Sequence, residues 1–147
     1  MLGCLLDEHA IIWLQRNYFD ACDMKDWSRL RELLTEDAVF DFRQAMDPDL
    51  ELVVGRDEVI EVIGRAMGPF TSLHRGYLRK LEFTGADIGR AVWAMEDTLW
   101  SGEAGALTKI MHGYGHYHLS YRKVAGAWRI ASWLLTRTFV ERHGGIE

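Results

Sequence analysis

Between Tyr77 and Val140 the chain is one long alternation of apolar and polar residues, cut at short intervals by turn formers. A period of two marks strands with one buried face, and runs joined by only a few residues pair antiparallel. The runs Tyr77–Phe83, Arg90–Trp100, Thr108–Arg122 and Trp128–Val140 are separated by Gly85-Ala86-Asp87, by Ser101–Gly105 and by Ala125-Gly126-Ala127. Ahead of them the period lengthens to that of a helix. From His9 to Cys22, Ile11, Leu14, Tyr18 and Cys22 share one side. Asp26 is placed to cap a short second helix that buries Trp27, Leu30, Leu33 and Leu34. Thr35-Glu36-Asp37 closes that helix, Ala38–Arg43 reads as a strand, and the polar stretch Gln44–Glu51 with Pro48 reads as a loop. A third helix opens at Gly55-Arg56-Asp57, buries Val59, Ile60, Ile63 and Met67, and stops at Gly68-Pro69.

This order predicts an α+β fold: a cone-shaped, curved antiparallel sheet with three N-terminal helices covering one face. No linker, repeat or composition break divides the chain, and 147 residues suit one core, so residues 1–147 read as a single domain. A cone of sheet is either filled by side chains or encloses a pocket.

Composition removes several function classes. The charge is 17 Lys+Arg minus 22 Asp+Glu, or −5, with no basic stripe, so no nucleic-acid partner is expected. The longest apolar runs, such as Ala10–Leu14, are too short to cross a bilayer, and no membrane partner is expected. Asp7, Glu8 and His9 interrupt Met1–Leu6 before any leader pattern forms. Cys4 and Cys22 do not make a disulfide framework, and the expected compartment is the cytoplasm. There is no G-x-G-x-x-G after a strand, no P-loop, no G-x-S-x-G and no H-E-x-x-H; no cofactor is expected.

The informative residues break the apolar pattern. On the third-from-last expected strand, Asp97 shares a face with Trp93, Met95 and Leu99. A carboxylate there loses its hydration, so it either finds a partner or holds a proton nearer neutrality. On the last strand Arg137 shares a face with Ala131, Trp133, Leu135 and Phe139. It is a surface Arg lying on apolar neighbours, or a buried partner of Asp97, or a group that binds ligand. His74, after Ser72-Leu73, is a side chain readily tuned to take and return a proton. Asp23 ends the first helix, a turn or so beyond Tyr18. The segment His112-Gly-Tyr-Gly-His116-Tyr-His118 places three histidines on one strand face, a pattern able to bind zinc or iron. No carboxylate or cysteine completes that set locally, so a solvated or interface-lining row is expected and no metal.

The segments Tyr18–Phe42 (YFDACDMKDWSRLRELLTEDAVFDF), Gly55–Ile63 (GRDEVIEVI), Gly89–Trp100 (GRAVWAMEDTLW) and Tyr121–Ile130 (YRKVAGAWRI) carry a resemblance. Over nearly its whole length the chain resembles the SnoaL-like branch of the nuclear transport factor 2-like superfamily. The first and last segments are similar to scytalone dehydratases, and W-A-M-E-D-T-L-W is similar to the W-Y-L-E-D-x-L of bile-acid dehydratases. The scaffold also serves isomerases, cyclases, a dehydrochlorinase and inert binding modules. The resemblance implies a catalytic set of Tyr18, Asp23, His74, Asp97 and Arg137. Two departures from scytalone dehydratases stand out. The second active-site histidine is missing, with Leu99 or Asp97 in its place, and Cys22 stands where those enzymes have a tyrosine. The resemblance also turns Tyr117 and Tyr121 toward the pocket and His116 and His118 to the opposite face.

The expected activity is that of a cofactor-independent lyase that removes water, or another leaving group, β to a carbonyl. Its substrate would be small, hydrophobic and cyclic: steroid-, polyketide- or aromatic-like. His74 would be the base and Asp23 its orienting partner. Tyr18 would donate to the carbonyl oxygen, Asp97 would carry a proton or pair with His74, and Arg137 would orient Asp97 or bind substrate. The helices and first strand would line the pocket with Trp13, Met67, Phe40 and Phe42. The meander would add Trp93, Met95, Tyr117, Trp133 and Phe139. An isomerase or polyketide-type cyclase with the same site is the alternative, as is a non-catalytic ligand-binding module akin to a dioxygenase small subunit. An open sheet face bearing Trp100, Tyr114 and the histidine row predicts a homo-oligomer, and the dehydratase resemblance favours a trimer over a dimer.

Overall fold

A computed structural model describes residues 2–143. Helix α1 (Leu2–Met24) is longer than the sequence pattern predicts and buries Ile11, Leu14, Gln15, Tyr18, Phe19, Ala21 and Cys22. It stops at Lys25, whose φ of 57° lies in the left-handed region that no helix interior tolerates. Asp26 then caps α2 (Trp27–Glu32) by accepting from the Arg29 backbone N–H at 3.2 Å, as expected of that residue type. Strand β1 (Leu34–Asp41) begins at once, so Thr35-Glu36-Asp37, expected to close the helix, lies inside the strand instead. The reason is pairing: the Ile130 backbone N–H donates to the Leu33 carbonyl at 2.8 Å and draws the chain onto the sheet edge. A two-residue strand β2 (Val53–Val54) precedes α3 (Arg56–Met67), whose amphipathic face buries Val59 and Ile63.

The meander follows as expected, with longer strands: β3 (Thr71–Gly85), β4 (Ile88–Ser101), β5 (Thr108–Val124) and β6 (Ala127–Arg142). The β5–β6 turn uses Ala125 (φ 51°) and Gly126 (φ 80°), the paired positive φ of a two-residue turn whose twist matches its strands. The sheet order is β2-β1-β6-β5-β4-β3. The expected all-antiparallel sheet needs one correction: β1 lies parallel to β6, with Phe40 beside Trp133 and Asp41 beside Leu134. Parallel pairing needs a long crossover, which the α3–β3–β4–β5 segment supplies. The result is a curved, unclosed mixed sheet with the three helices against its concave face.

Inside, Tyr121 is completely buried and ties the layers together. Its hydroxyl accepts from Trp93 Nε1 (3.1 Å) and donates to Gln15 Oε1 on α1 (3.0 Å). Phe40 stacks on Trp133 with ring centroids 5.2 Å apart, joining β1 to β6. Near the other end of the cone this packing stops and leaves a hollow.

Candidate active site

Two strands bring the unusual polar residues together. In the β3–β4 ladder His74 is directly opposite Asp97, and cross-strand partners on one face have Cβ atoms about 4.5–5.5 Å apart. Each is then held by a different partner. The last turn of α1 carries Asp23 to β3, where Oδ1 meets His74 Nδ1 at 2.6 Å and Oδ2 accepts the His74 backbone N–H at 2.9 Å. Ser72 donates to Oδ1 as well (2.9 Å), and Lys25 donates to Ser72 Oγ (2.8 Å). With a carboxylate against Nδ1, that nitrogen carries the hydrogen and Nε2 keeps a free lone pair. Asp23 spends its oxygens on these donors, so it orients the imidazole and does not reach a ligand.

Asp97, only 6% exposed, forms a two-pronged pair with Arg137: Nη1–Oδ1 2.6 Å and Nη2–Oδ2 3.0 Å. Parallel N–H···O bonds of this kind suit a guanidinium and a carboxylate. Of the readings open for Asp97, the one with a partner is the one observed. Room for the pair comes from Gly113, opposite Asp97 on β5. A Cβ there would run into Arg137 Nη1 and lie 2.8 Å from Asp97 Oδ1. The sequence signal was present in the H-G-Y-G stretch, but alternating histidines draw attention away from its glycines.

These groups open onto a cavity of about 190 Å³. Of the residues expected to line it, Tyr18, His74, Asp97, Arg137, Phe42, Met67, Tyr117 and Trp133 do so. Phe40, Trp93 and Met95 are buried in the core and lie outside the cavity lining. So five of the nine expected lining residues are elsewhere, and two of the five are on the surface. Trp13 is 57% exposed on the outer side of α1, because the helix turns Leu14 and Tyr18 inward and leaves Trp13 to solvent. Phe139 is 50% exposed and stacks with Tyr114 on the opposite sheet face. A register shift between Tyr114 and Gly115 inserts Thr138 as an extra residue, and a one-residue slip exchanges the faces. The bulge is braced by Gln44, whose Oε1 accepts the Arg137 backbone N–H at 3.0 Å and draws the β1–β2 loop beside the cavity. That loop contributes Ala45 and Met46, and Ile63, Ala66, Leu99, Met111, Leu135 and Arg142 complete the lining unforeseen. Cys22, on the same side of α1 as Tyr18, also faces the cavity.

The electrostatics follow from burial. Tyr18 and Tyr117 are pushed well above the ordinary phenol range, chiefly by desolvation, and the Cys22 thiol is pushed up to about 12 by the same cause. All three therefore stay protonated near neutrality and act as donors. The histidine row lies on the outer face with separate partners: His112 with Glu96 (3.1 Å), His116 with Arg79 (3.3 Å) and His118 with Thr136 (2.9 Å). Among the described residues no group of three His, Cys, Asp or Glu could hold a metal ion. No helix is long and apolar enough to cross a membrane among those residues.

Residues 4–134 match the family model of the SnoaL-like domain. No curated protein sequence matches the chain. Among solved structures, it is similar to a provisionally assigned scytalone dehydratase from Novosphingobium aromaticivorans (TM-score 0.81, 19% identity, 97% of this chain and 91% of that one). It is also similar to a hexachlorocyclohexane dehydrochlorinase from Novosphingobium barchaimii (TM-score 0.77, 18% identity, 99% and 96%). A third likeness is to a ketosteroid isomerase-like protein from Erwinia carotovora atroseptica (TM-score 0.71, 22% identity, 89% and 95%). At these identities the likeness establishes the fold.

Proposed function

The chain belongs to the SnoaL-like domain family, and from that premise we propose that it is a cytoplasmic lyase of the dehydratase type, working through its own side chains on a small hydrophobic cyclic ketone. The observation that carries this reading is an imidazole, oriented by a carboxylate at 2.6 Å, with its other nitrogen unspent beside a hollow of aromatic and aliphatic side chains. His74 Nε2 takes the proton α to the carbonyl. The C–H electron pair forms the new double bond as the β C–O bond breaks, and the imidazolium returns its proton to the departing hydroxide as water. Tyr18 donates a hydrogen bond to the carbonyl oxygen as enolate charge develops. The Asp97–Arg137 pair stands beside the imidazole as a fixed dipole that orients substrate. The proton-carrier role considered for Asp97 passes to His74, because a carboxylate gripped by two guanidinium N–H groups is the poorer carrier.

Volume bears on the substrate. A cavity of about 150 Å³ holds one benzene ring. At about 190 Å³ this one suits a monocyclic or compact bicyclic ketone rather than a four-ring steroid. The exposed aromatics Tyr77, Tyr114 and Phe139 support the further proposal that the chain self-associates, and the resemblance to dehydratases favours a trimer over a dimer. Light scattering on the purified protein tests that assignment.

The activity is tested with a panel of one- and two-ring β-hydroxy ketones, following the rise of enone absorbance. Loss of the base in His74→Gln should lower turnover by about 10²–10⁴-fold. Double-bond migration without release of water would assign an isomerase. Turnover unaffected by His74→Gln, or a ring titration of His74 that ignores Asp23→Asn, would sink the mechanism.

A further inference from the structure

Lysine is not the residue the backbone asks for at position 25. A site just past a helix end with a left-handed φ, here 57°, is one that glycine fills most readily, because a Cβ there is crowded. Lys25 brings a Cβ and a long charged stem, and the stem turns back onto the protein. Its Nζ donates to Ser72 Oγ on β3 at 2.8 Å and to the Cys22 carbonyl at 3.3 Å. Ser72 is 7% exposed and shares a strand face with His74. A hydroxyl has one hydrogen. With Lys25 on its acceptor side, that hydrogen is directed at Asp23 Oδ1, 2.9 Å away. Asp23 in turn meets His74 Nδ1 at 2.6 Å. Ammonium, hydroxyl, carboxylate and imidazole thus form one line of hydrogen bonds whose members polarise one another. Neither Lys25 nor Ser72 belongs to the cavity lining.

Charge explains why the line ends in a cation. Asp23 is in the last turn of α1, where the carbonyl ends of a helix repel a carboxylate, and that turn holds no basic residue. Asp97, directly across from His74, adds a second negative charge, but Arg137 grips it with both prongs. The Phe19 ring stacks on the imidazole at 6.3 Å and brings no charge. The cavity's other titratable groups are Tyr18, Cys22 and Tyr117, which stay neutral, and Arg142, which is exposed to solvent. Lys25 is therefore the cation left for Asp23. Burial draws its ammonium below the ordinary lysine range and the Asp23 charge opposes that, so the two groups feel each other. Without Lys25 the positive charge nearest to hand for Asp23 is an imidazolium, and an imidazolium has no lone pair on Nε2.

We propose that Lys25 and Ser72 are positioning residues for His74: Lys25 supplies the counter-charge of Asp23 through the Ser72 hydroxyl, and so keeps the imidazole neutral with its Nε2 lone pair free. The inference rests on the lyase reading for what His74 does with that lone pair, but not for the charge arrangement itself.

The experiment compares the whole parent protein with Lys25→Gly, Lys25→Arg and Ser72→Ala at neutral pH. Nitrogen-15 NMR without substrate reads which ring nitrogens of His74 carry hydrogen, and His74→Gln identifies the signals. Turnover of the β-hydroxy ketone panel gives kcat and KM. Glycine suits the backbone of residue 25, so Lys25→Gly should fold with a urea midpoint close to or above the parent's. It should nevertheless lower kcat about ten- to a hundredfold, the loss of one hydrogen bond from a charged donor. KM should change little, because the residue is outside the cavity lining. The His74 Nε2 signal should move toward the position of a protonated nitrogen. Ser72→Ala should act in the same direction, and Lys25→Arg, which keeps charge and reach, should restore both kcat and the signal. Lys25→Gly with parental ring signals, or Lys25→Arg no better than Lys25→Gly, overturns the inference. If the parent dehydrates no ketone, the lyase reading falls, and the ring signals still decide this inference by themselves.

Discussion

Replacing Arg137 by Met removes the guanidinium but keeps most of the stem volume, and the consequence is set by what remains. Asp97 is 6% exposed and lies between His74 on one strand and Gly113 on the other, and among the described residues Arg137 is its hydrogen-bond partner. Breaking a buried pair while leaving one charge behind costs about 3–5 kcal/mol. A domain of this length loses about 2–4 °C of Tm per kcal/mol, so Arg137→Met should melt roughly 6–20 °C below the parent. That is a large fraction of a total stability of about 5–15 kcal/mol. Adding Asp97→Leu removes the stranded charge, and the double variant should recover most or all of the loss. Urea midpoints for the parent, the single and the double variant at neutral pH make the measurement. A single variant as stable as the parent at neutral pH, or a double variant no better than the single, would refute the buried-pair argument.

The space that Gly113 provides is equally testable: Gly113→Ala should displace the guanidinium, lower the urea midpoint and depress turnover together, whereas Gly126→Asn, at a turn that tolerates positive φ, should leave turnover alone. Tyr121→Phe strands Gln15 Oε1 and the Trp93 N–H, and should cost about 1–3 kcal/mol by denaturant melt. The Cys22 thiol, pushed up to about 12, has almost no thiolate at pH 8, so a thiol reagent should label exposed Cys4 promptly and Cys22 only after denaturation. Equal labelling rates would refute the burial of Cys22.

Much of the architecture was legible because periodicity is a local property. The helical spacing of Ile11, Leu14, Tyr18 and Cys22, the Asp26 cap and the alternation of Trp93, Met95 and Asp97 each follow from chain geometry and one buried side, and each is observed. The pairing of Asp97 with Arg137 was readable as one option, since two charges on apolar faces need each other. Where the reading failed, a distant partner intervened. Thr35–Asp37 has the composition of a helix end, yet lies in β1 because the last strand draws that segment onto the sheet. Phe139 obeys the alternation of its own strand up to the bulge at Thr138, and the bulge depends on Gly115, which has no side chain to obstruct the Thr136 carbonyl. The parallel β1–β6 pairing joins segments some ninety residues apart and leaves no mark on local pattern.

By itself, then, the order of amino acids determined which stretches become helices and strands, which faces are greasy, and which few polar groups sit on them, because those are properties of neighbours along the chain. Tertiary structure alone decided that His74 is gripped by Asp23 and Asp97 by Arg137, that a hollow of about 190 Å³ survives beside them, and that Tyr18 and Tyr117 meet in its wall. Such facts depend on strand register and on the volume left when packed layers meet, and both are sums over residues far apart in sequence.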